Sequence, residues 1–373
     1  MKSGPNTLKI DLSALVHNLS VTRRMIGQGT RIMGIVKSDA YGHGMVTISK
    51  ALEENNIDCL GVAYTDEAIE LRNRKIGLPI IVLCGMQTEK EVREVVEHGL
   101  IPVLFDLKTV HALDREGRRQ GKKSPMYLKV DTGMGRLGIS CREVGPFVEA
   151  ARSLENVEIK GMISHLSAAD DPSDDFTDEQ IRAFQDAINT AKSFGLDPLS
   201  NSIANSAGIM DQKGTHLPMV RPGIMLYGGL PSPGFMPPYI LRPVMHFRGR
   251  ILQVRDLPDH TPVSYGKTHY TKGVRRTAVL SAGYGHGLPR SMSNRGYVLI
   301  GGKKAQIIGR ICMDITICDV TGIDGVKAGD EAVFLGSQGE ETITGDEIAG
   351  WAGTISYEVF CSIGRQNRKE YSI

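Results

Sequence analysis

The sequence predicts an α/β protein in which an N-terminal (β/α)8 barrel of the TIM type is followed by a C-terminal, mostly-β domain. Its 373 residues exceed the size of most single hydrophobic cores and suit two domains. Up to about residue 235, short β-branched runs alternate with helical periodicity, whereas strand signals dominate beyond that point. We therefore expect the barrel over residues 1–238 and the β domain over residues 239–373.

Eight apolar runs in the first part of the chain predict the barrel strands, because amphipathic segments separate them. The predicted strands are Arg31–Val36, Cys59–Ala63, Pro79–Cys84, Ile101–Leu104, Met126–Val130, Ile159–Ser164, Leu199–Ile203 and Met219–Leu226. Strands that alternate with helices in this way are typical of a closed barrel. A doubly wound open sheet is the alternative, although no Gly-x-Gly-x-x-Gly turn follows the first strand.

Helical periodicity is clearest in two segments. Leu12, Leu15 and Leu19 fall on one helical face, and Asp11 precedes them where it can cap the helix. A second amphipathic segment runs from residue 177 to residue 194.

Residues 231–238 mark the domain junction, because four of these eight residues are proline. Beyond them, a short helix is expected where Thr344 and Glu347 form a capping-box pair. The remaining signals are those of strands, at Val244–Val254, Thr277–Ala282, Tyr297–Ile300, Gln306–Thr316 and Glu331–Leu335.

Composition excludes several functional classes. Lys and Arg number 44 against 42 acids, and no basic block indicates nucleic acid. No apolar run approaches membrane-spanning length, and residues 1–7 lack the apolar core of a signal peptide. The six cysteines show no Cys-x-x-Cys spacing, so we expect reduced thiols in a cytoplasmic protein and no metal site.

The most informative segment spans residues 36–44, Val-Lys-Ser-Asp-Ala-Tyr-Gly-His-Gly. It predicts a strand that runs into a βα turn, with the Lys37 amine at the C-terminal tip of the strand. An amine shielded from water there can stay neutral and attack a carbonyl. We expect His43 to stabilise the turn.

Further candidate site residues lie at or after the ends of predicted strands, where the functional groups of a barrel are found. These residues are Arg136 after the fifth strand, His165 at the end of the sixth, Asn205 and Ser206 after the seventh, and Arg221 and Gly223 in the eighth.

Six motifs in series resemble those of the alanine racemase family. The first is the lysine motif at residues 36–44, and the others follow in the family's order. They are KVDTGMGRLG at 129–138, RPGI at 221–224, VSYG at 263–266, GRICMD at 309–314 and SYEV at 356–359. The resemblance implies an enzyme that uses pyridoxal 5'-phosphate to interconvert L- and D-alanine, supplying D-alanine for peptidoglycan in a bacterium.

The resemblance also implies which residues hold the cofactor. Lys37 would bond covalently to its aldehyde, and Arg221, oriented by His165, would face its ring nitrogen. An arginine can only donate a hydrogen bond there, so the nitrogen stays neutral, which suits racemisation and disfavours transamination. The expected phosphate contacts are Tyr41, Asn205, Ser206, Gly223, Ile224 and Tyr357.

Racemisation needs a base on each face of the substrate. The resemblance implies Lys37 on one face and Tyr265 on the other. A phenol needs neighbouring cations before it can act as a base near neutral pH. In the family this tyrosine serves the partner subunit's cofactor, so a homodimer with shared active sites is implied.

The family's substrate contacts have matches too. Arg136 resembles the arginine that binds the tyrosine base and the substrate carboxylate. Lys129 matches a lysine that is often carbamylated, and a carbamate would hold Arg136. Met313 and Asp314 would close the partner's substrate pocket, and Tyr284 would narrow its entrance. Lys129 and Tyr357 favour a small substrate, with alanine first and serine as a minor one.

The chain departs from the family pattern in two places. Residues 283–287 read Gly-Tyr-Gly-His-Gly, so His286 replaces an acid that many members carry. Residues 364–368 lack the usual Val-Pro between two arginines. Both changes bear on substrate breadth and kinetics, and the core chemistry does not depend on them.

Two other functions remain open at this stage. A non-catalytic carrier barrel for pyridoxal phosphate would lack the C-terminal domain, which residues 240–373 and Tyr265 speak against. A decarboxylase on the same architecture would carry an acid at the ring nitrogen, where Arg221 is expected.

Overall fold

The computed structural model describes residues 4–171, 173–197, 200–211, 213–232 and 234–373. Three predictions extend outside these ranges. They concern the start of the seventh predicted strand at Leu199, Pro233 in the proline-rich junction, and Met1, Lys2 and Ser3 at the start of the chain.

Parallel strands form the first part of the chain into a barrel, as predicted. The first five strands pair each with the next along the chain, Ser124–Asp131 also pairs with both Ile139–Ser140 and Val157–Ile163, and Met219–Val220 pairs with Arg31–Ile35. The strands are Arg31–Ile35, Cys59–Val62, Ile80–Val82, Ile101–Leu104, Ser124–Asp131, Ile139–Ser140, Val157–Ile163 and Met219–Val220.

An extended segment, residues 200–204, closes the barrel. Ser202 N donates to Met162 O at 2.9 Å on one side, and Arg221 N donates to Ala204 O at 3.1 Å on the other. The open-sheet alternative is therefore wrong. The predicted seventh strand is reduced, over its described residues, to a parallel bridge between Ser202 and Ile163, because the Asn201 side chain accepts the Met162 N–H that a strand partner's carbonyl would take.

The eighth predicted strand is shorter than expected. It ends at Val220, and the chain then turns into a 3-10 helix at Ile224–Tyr227. Pro222 has no N–H to donate to a neighbouring strand, and Gly223 turns the backbone with φ −117° and ψ −94°. The residues after the strand therefore face the end of the barrel.

Helices surround the barrel and follow its strands. Asp11 caps the first of them, since its Oδ1 accepts from Ala14 N at 3.0 Å, as predicted. Within the described ranges, no helix has both the length and the hydropathy needed to span a bilayer. The α-helices are Leu12–Ile26, Met45–Glu54, Thr65–Asn73, Glu89–Glu97, Leu107–Gln120, Val144–Arg152, Phe176–Ser193, Ser206–Asp211, Gly345–Ala352 and Ser356–Gln366.

The C-terminal domain is mostly β, as predicted. The long strand Met245–Leu257 is central and pairs antiparallel with Thr7–Asp11, Arg275–Leu280 and Glu331–Gln338. Thr344 and Glu347 form the expected capping box. The other strands are Pro262–Val263, His269–Tyr270, Tyr297–Ile300, Lys303–Gln306, Thr316–Asp319, Glu341–Ile343 and Lys369–Ser372.

The predicted strand Gln306–Thr316 is wrong, because residues 307–315 form a loop between two strands. Gly309 in this loop has a φ of +73°, and a Cβ there would lie 2.7 Å from Val263 O. A left-handed residue pressed against another backbone interrupts the strand. Met313 and Asp314 consequently lie on an exposed loop.

The strand Thr7–Asp11 precedes the barrel in sequence but pairs within the C-terminal sheet. It lies between Met245–Leu257 and the parallel strand Lys369–Ser372. Its Leu8 and Ile10 side chains are buried. This strand thus ties the first barrel helix to the second domain.

We predict that Ile10→Ala lowers the free energy of unfolding by about 2–4 kcal/mol, because truncating this buried side chain leaves a cavity in the core. Urea unfolding followed by the fluorescence of Trp351, the single tryptophan, measures the change. The exposed neighbour Lys9→Ala is the control and should cost less than about 0.5 kcal/mol. Equal costs for the two variants would contradict the assignment of this strand to the core.

Candidate active site

A cavity of about 440 Å³ opens at the C-terminal ends of the barrel strands. Most of the predicted site residues line it, and four others, Tyr265, Tyr284, Met313 and Asp314, do not. The predicted residues brought together here are Lys37, Tyr41, Lys129, Arg136, His165, Asn205, Ser206, Arg221, Gly223, Ile224 and Tyr357.

Several lining residues were missed by the sequence analysis, and all but Cys84 are aliphatic: Ile35, Leu83, Cys84, Val103, Leu137 and Ile163. Most of them lie at or next to strand ends, where alternate side chains point into a barrel. Alternation within the predicted strands could have identified Ile35, Val103 and Ile163, whereas Leu137 lies outside every predicted strand.

Lys37 leads into a left-handed turn. Ser38, Asp39, Ala40 and Tyr41 have φ angles of 53° to 55°. Such a conformation costs an L-residue roughly 1–2 kcal/mol, so surrounding contacts must hold it. Ser38 N donates to Glu67 Oε1 at 2.6 Å, and Gly42 N donates to Ser38 O at 3.1 Å.

His43 lies beneath this turn and is fully buried. Its Nδ1 lies 3.0 Å from Ala40 O and 3.1 Å from Tyr41 O. Carbonyl oxygens only accept, so Nδ1 carries the proton. Burial lowers the pKa of His43 to about 4, so the ring is neutral at physiological pH. The imidazole therefore supports the turn through a donated hydrogen bond.

Lys37 itself is half-buried at the cavity wall. Burial, and then the positive charge of Arg136, lower its pKa below the usual value for a lysine. Both effects favour the neutral amine, which is the nucleophilic form.

Arg221 crosses the base of the cavity with 4% of its surface exposed. Nη1 donates to Ser202 Oγ and Nη2 donates to Ser164 O, both at 2.6 Å. Nη2 also lies 3.1 Å from His165 Nδ1. Because an arginine only donates, this Nδ1 accepts, and His165 carries its proton on Nε2.

Electrostatics keep this pair in one protonation state. Burial and then Arg221 lower the pKa of His165 well below its usual range, so the ring is neutral. Burial and then Arg136 lower the pKa of Arg221 to about 9, which leaves the guanidinium charged at neutral pH. Arg221 is therefore a fixed, charged donor.

Hydroxyl and amide donors gather on the opposite wall of the cavity. Ser206 Oγ accepts from Gly223 N at 3.0 Å, which leaves its own proton free to donate. Burial raises the pKa of both Tyr41 and Tyr357, so both phenols stay protonated. Neutral donors beside an approachable backbone suit a phosphate group.

Two details fix the shape of this wall. A Cβ at Gly223 would lie 2.5 Å from the Tyr41 hydroxyl, so only glycine lets the phenol and the backbone meet here. Asn205 uses its side chain on the protein backbone, with Oδ1 accepting from Gly208 N at 3.0 Å and Nδ2 donating to Leu166 O at 3.2 Å. Asn205 thus holds the loop that presents Ser206.

Lys129 and Arg136 also line the cavity. Burial, then Arg221 and Arg136, lower the pKa of Lys129 to about 7, so much of this amine is neutral at physiological pH. Arg136 lies at the exposed rim of the cavity, on a loop whose Gly133 N donates to Asp131 Oδ1 at 2.9 Å. The site thus combines an amine nucleophile, a phosphate-binding wall and a buried cationic donor, which fits pyridoxal phosphate.

The four predicted residues outside the cavity lie close together on the C-terminal domain. Gly285 N donates to Met313 O at 2.7 Å, and Ser264 Oγ donates to Arg310 O at 2.5 Å, so three loops meet. Tyr265, Met313 and Tyr284 are 70%, 57% and 41% exposed. They form an exposed surface, which we call the loop surface and define as Tyr265, Tyr284, Met313 and Asp314.

Comparison with known proteins agrees with these features. The model of the alanine racemase N-terminal domain matches residues 10–231, and that of the C-terminal domain matches residues 244–371. Alanine racemase 2 of Caldanaerobacter subterraneus subsp. tengcongensis is 39% identical over 368 residues, which cover 98% of this chain and 95% of the relative.

Solved structures are similar as well. The alanine racemase of a D-cycloserine-producing Streptomyces lavendulae has a TM-score of 0.93 and 33% identity, with 100% of this chain and 98% of that chain covered. The alanine racemase of Bartonella henselae with covalently bound pyridoxal phosphate has a TM-score of 0.89 and 29% identity, with 99% and 100% covered.

The match to the C-terminal domain contradicts the carrier alternative, and the relatives named alanine racemase over nearly the whole chain contradict the decarboxylase alternative. The chain belongs to the alanine racemase family of pyridoxal phosphate-dependent isomerases.

Proposed function

We propose that this chain racemises alanine with two bases, Lys37 of one subunit and Tyr265 of its partner. The observation that carries the proposal is the Lys37 amine, which precedes a strained turn and lines the same cavity as the buried donor Arg221. Bound pyridoxal phosphate would withdraw electrons from the substrate and make the proton on its α-carbon acidic.

The residues that would hold the cofactor have separate tasks. Lys37 would attach it, and Arg221 would donate to its ring nitrogen. The phosphate would accept hydrogen bonds from Ser206, Tyr41 and Tyr357 and from the backbone of Gly223 and Ile224. Asn205 would act indirectly, by holding the loop before Ser206.

A ring nitrogen without a proton would favour racemisation, and the residues around the cavity would keep it so. None of the residues that line the cavity, all of them in described ranges, is an aspartate or a glutamate. Arg221 has no proton acceptor to offer, and neutral His165 takes one of its N–H groups. The ring nitrogen would stay unprotonated, which suits rapid return of the proton to the substrate and disfavours transamination.

A homodimer would complete the site. The loop surface is exposed and largely apolar, which is typical of an interface. Tyr265 would move a proton on the face opposite Lys37, while Met313 and Asp314 close the pocket and Tyr284 narrows its entrance. Arg136 would bind the substrate carboxylate. A pocket confined in this way suits alanine, with serine as a minor substrate.

We also propose that the D-alanine formed supplies cell-wall peptidoglycan in the cytoplasm of a bacterium. The support is the family's activity, whose product is a building block of that polymer.

We predict that Lys37→Ala abolishes both racemisation and the visible absorbance of the covalently bound cofactor, because it removes the amine that would attach the cofactor. Absorbance spectra and α-deuterium exchange from D2O measure the two effects. Lys50→Ala, which removes an exposed lysine from the next helix, should retain both. Covalent cofactor in the Lys37→Ala variant would exclude this lysine.

A second prediction tests the shared site. Tyr265→Phe and Lys37→Ala should each be inactive, whereas an exchanged equal mixture should recover about a quarter of wild-type activity. Half of its dimers are mixed, and each mixed dimer has one site with both bases intact. Tyr270→Phe is the control, since it removes a phenol from a neighbouring strand, and it should retain activity on its own. No recovery in a mixture shown to contain mixed dimers would place both bases in one chain.

A third prediction concerns Lys129. Its lowered pKa of about 7 means that the neutral amine, which can react with carbon dioxide, appears above about pH 7 instead of near 10.5. NMR in 13C-bicarbonate should therefore show a carbamate signal that grows as the pH rises through about 7. The signal should vanish in Lys129→Ala, and a signal that persists there belongs to another amine.

A further inference from the structure

We infer that Lys369, in the last strand of the chain, is a positioning residue for the cofactor lysine. Its ammonium group binds the carboxylate of Asp39, two residues after Lys37, and so helps to hold the left-handed turn. The inference rests on the proposed role of Lys37 and adds a residue from the other domain to the site.

The carboxylate of Asp39 connects three segments of the chain. Its Oδ2 lies 2.9 Å from Lys369 Nζ, and its Oδ1 accepts from Met45 N at 2.8 Å. The turn, the start of the next helix and the last strand therefore meet at one side chain. Asp39 is itself one of the four consecutive turn residues with positive φ, so this contact acts directly on the strained backbone.

Lys369 is well placed to restrain Asp39. Its side chain is 16% exposed, so it has little freedom to move away into solvent. Its backbone belongs to the strand Lys369–Ser372, where it pairs with Leu8 of the strand that leads into the first helix. Lys369 is thus held through its backbone in the C-terminal sheet and through its ammonium group at Asp39 of the barrel.

The neighbouring contacts leave the turn little room to shift. A Cβ at Gly44 would overlap the hydroxyl of Tyr371 and would lie 3.2 Å from Lys369 Cδ. On the other side, a Cβ at Gly42 would overlap the Phe360 carbonyl oxygen. The C-terminal domain therefore encloses the turn, and Lys369 supplies the charged contact within that enclosure.

The effect should appear in cofactor binding more than in overall stability. Asp39 is half-exposed, and ion pairs of this kind add little to the stability of a fold. The same pair acts two residues from the attachment point, where a small shift moves the amine relative to the phosphate-binding wall.

The experiment compares Lys369→Met, Lys369→Arg, Asp39→Asn and the Lys369→Met/Asp39→Asn double variant of the full chain. Pyridoxal phosphate is titrated into protein freed of cofactor, and the visible circular dichroism of the bound cofactor and the melting temperature are recorded. Lys304→Met is the matched control, because it breaks a similarly short ion pair, of 2.8 Å with Glu347, and neither of these residues lines the cavity.

Lys369→Met should weaken cofactor binding about two- to fivefold and alter the circular dichroism, with little change in melting temperature. Lys369→Arg should restore both, and Lys304→Met should change neither. The double variant should be no worse than the more affected single variant, because both remove one interaction.

Unchanged binding and circular dichroism in Lys369→Met, or an equal loss in Lys304→Met, would overturn the inference. Losses that simply add in the double variant would do so as well. Lys37→Ala, measured in parallel, separates this inference from the proposed function. If it keeps the covalent cofactor, both ideas fail, whereas its loss beside an unaffected Lys369→Met removes this inference alone.

Discussion

Four consecutive residues after Lys37 hold φ angles near +54°, a conformation that L-residues avoid because Cβ crowds the following carbonyl. The turn persists because hydrogen bonds, aromatic packing and an ion pair surround it. Glu67 accepts a hydrogen bond from the first amide of the turn, at Ser38, and His43 donates to its last two carbonyl oxygens. Lys369 forms an ion pair with the carboxylate of Asp39. The geometry of the whole cavity depends on this turn, since it sets the direction of both the Lys37 amine and the Tyr41 ring.

Positive charge dominates the cavity. Lys37, Lys129, Arg136 and Arg221 all line it, and no acid stands among the lining residues, which lie wholly in the described part of the chain. Burial, and then the neighbouring cations, lower the pKa values of Lys37, Lys129 and His165, so the lysines tend toward neutral amines and His165 stays uncharged. The negative charges of a bound phosphate and of a substrate carboxylate would offset these cations. The same cations would therefore serve both ligand binding and the reactivity of the lysines.

Much of this site follows from the sequence, because its residues stand at strand ends that apolar runs reveal. Other features depend on contacts between distant segments and leave no local trace. The Asn201 side chain accepts a backbone N–H of the neighbouring strand, so the seventh predicted strand is reduced to a bridge, and Gly309 lies against the backbone of Val263, so another predicted strand is a loop. The support that Lys369 gives to Asp39 spans 330 positions of the chain, and no periodicity indicates it.

The strand Thr7–Asp11 has a consequence for how the molecule is made. Its partners are residues 245–248 on one side and 369–372 on the other, so it stays unpaired while the intervening chain leaves the ribosome. Its pairing with residues 245–248 requires synthesis of the whole barrel segment, and its second partner, residues 369–372, is synthesised later still. The contact of Lys369 with Asp39 in the cofactor turn can therefore form only after residues of both domains have been synthesised.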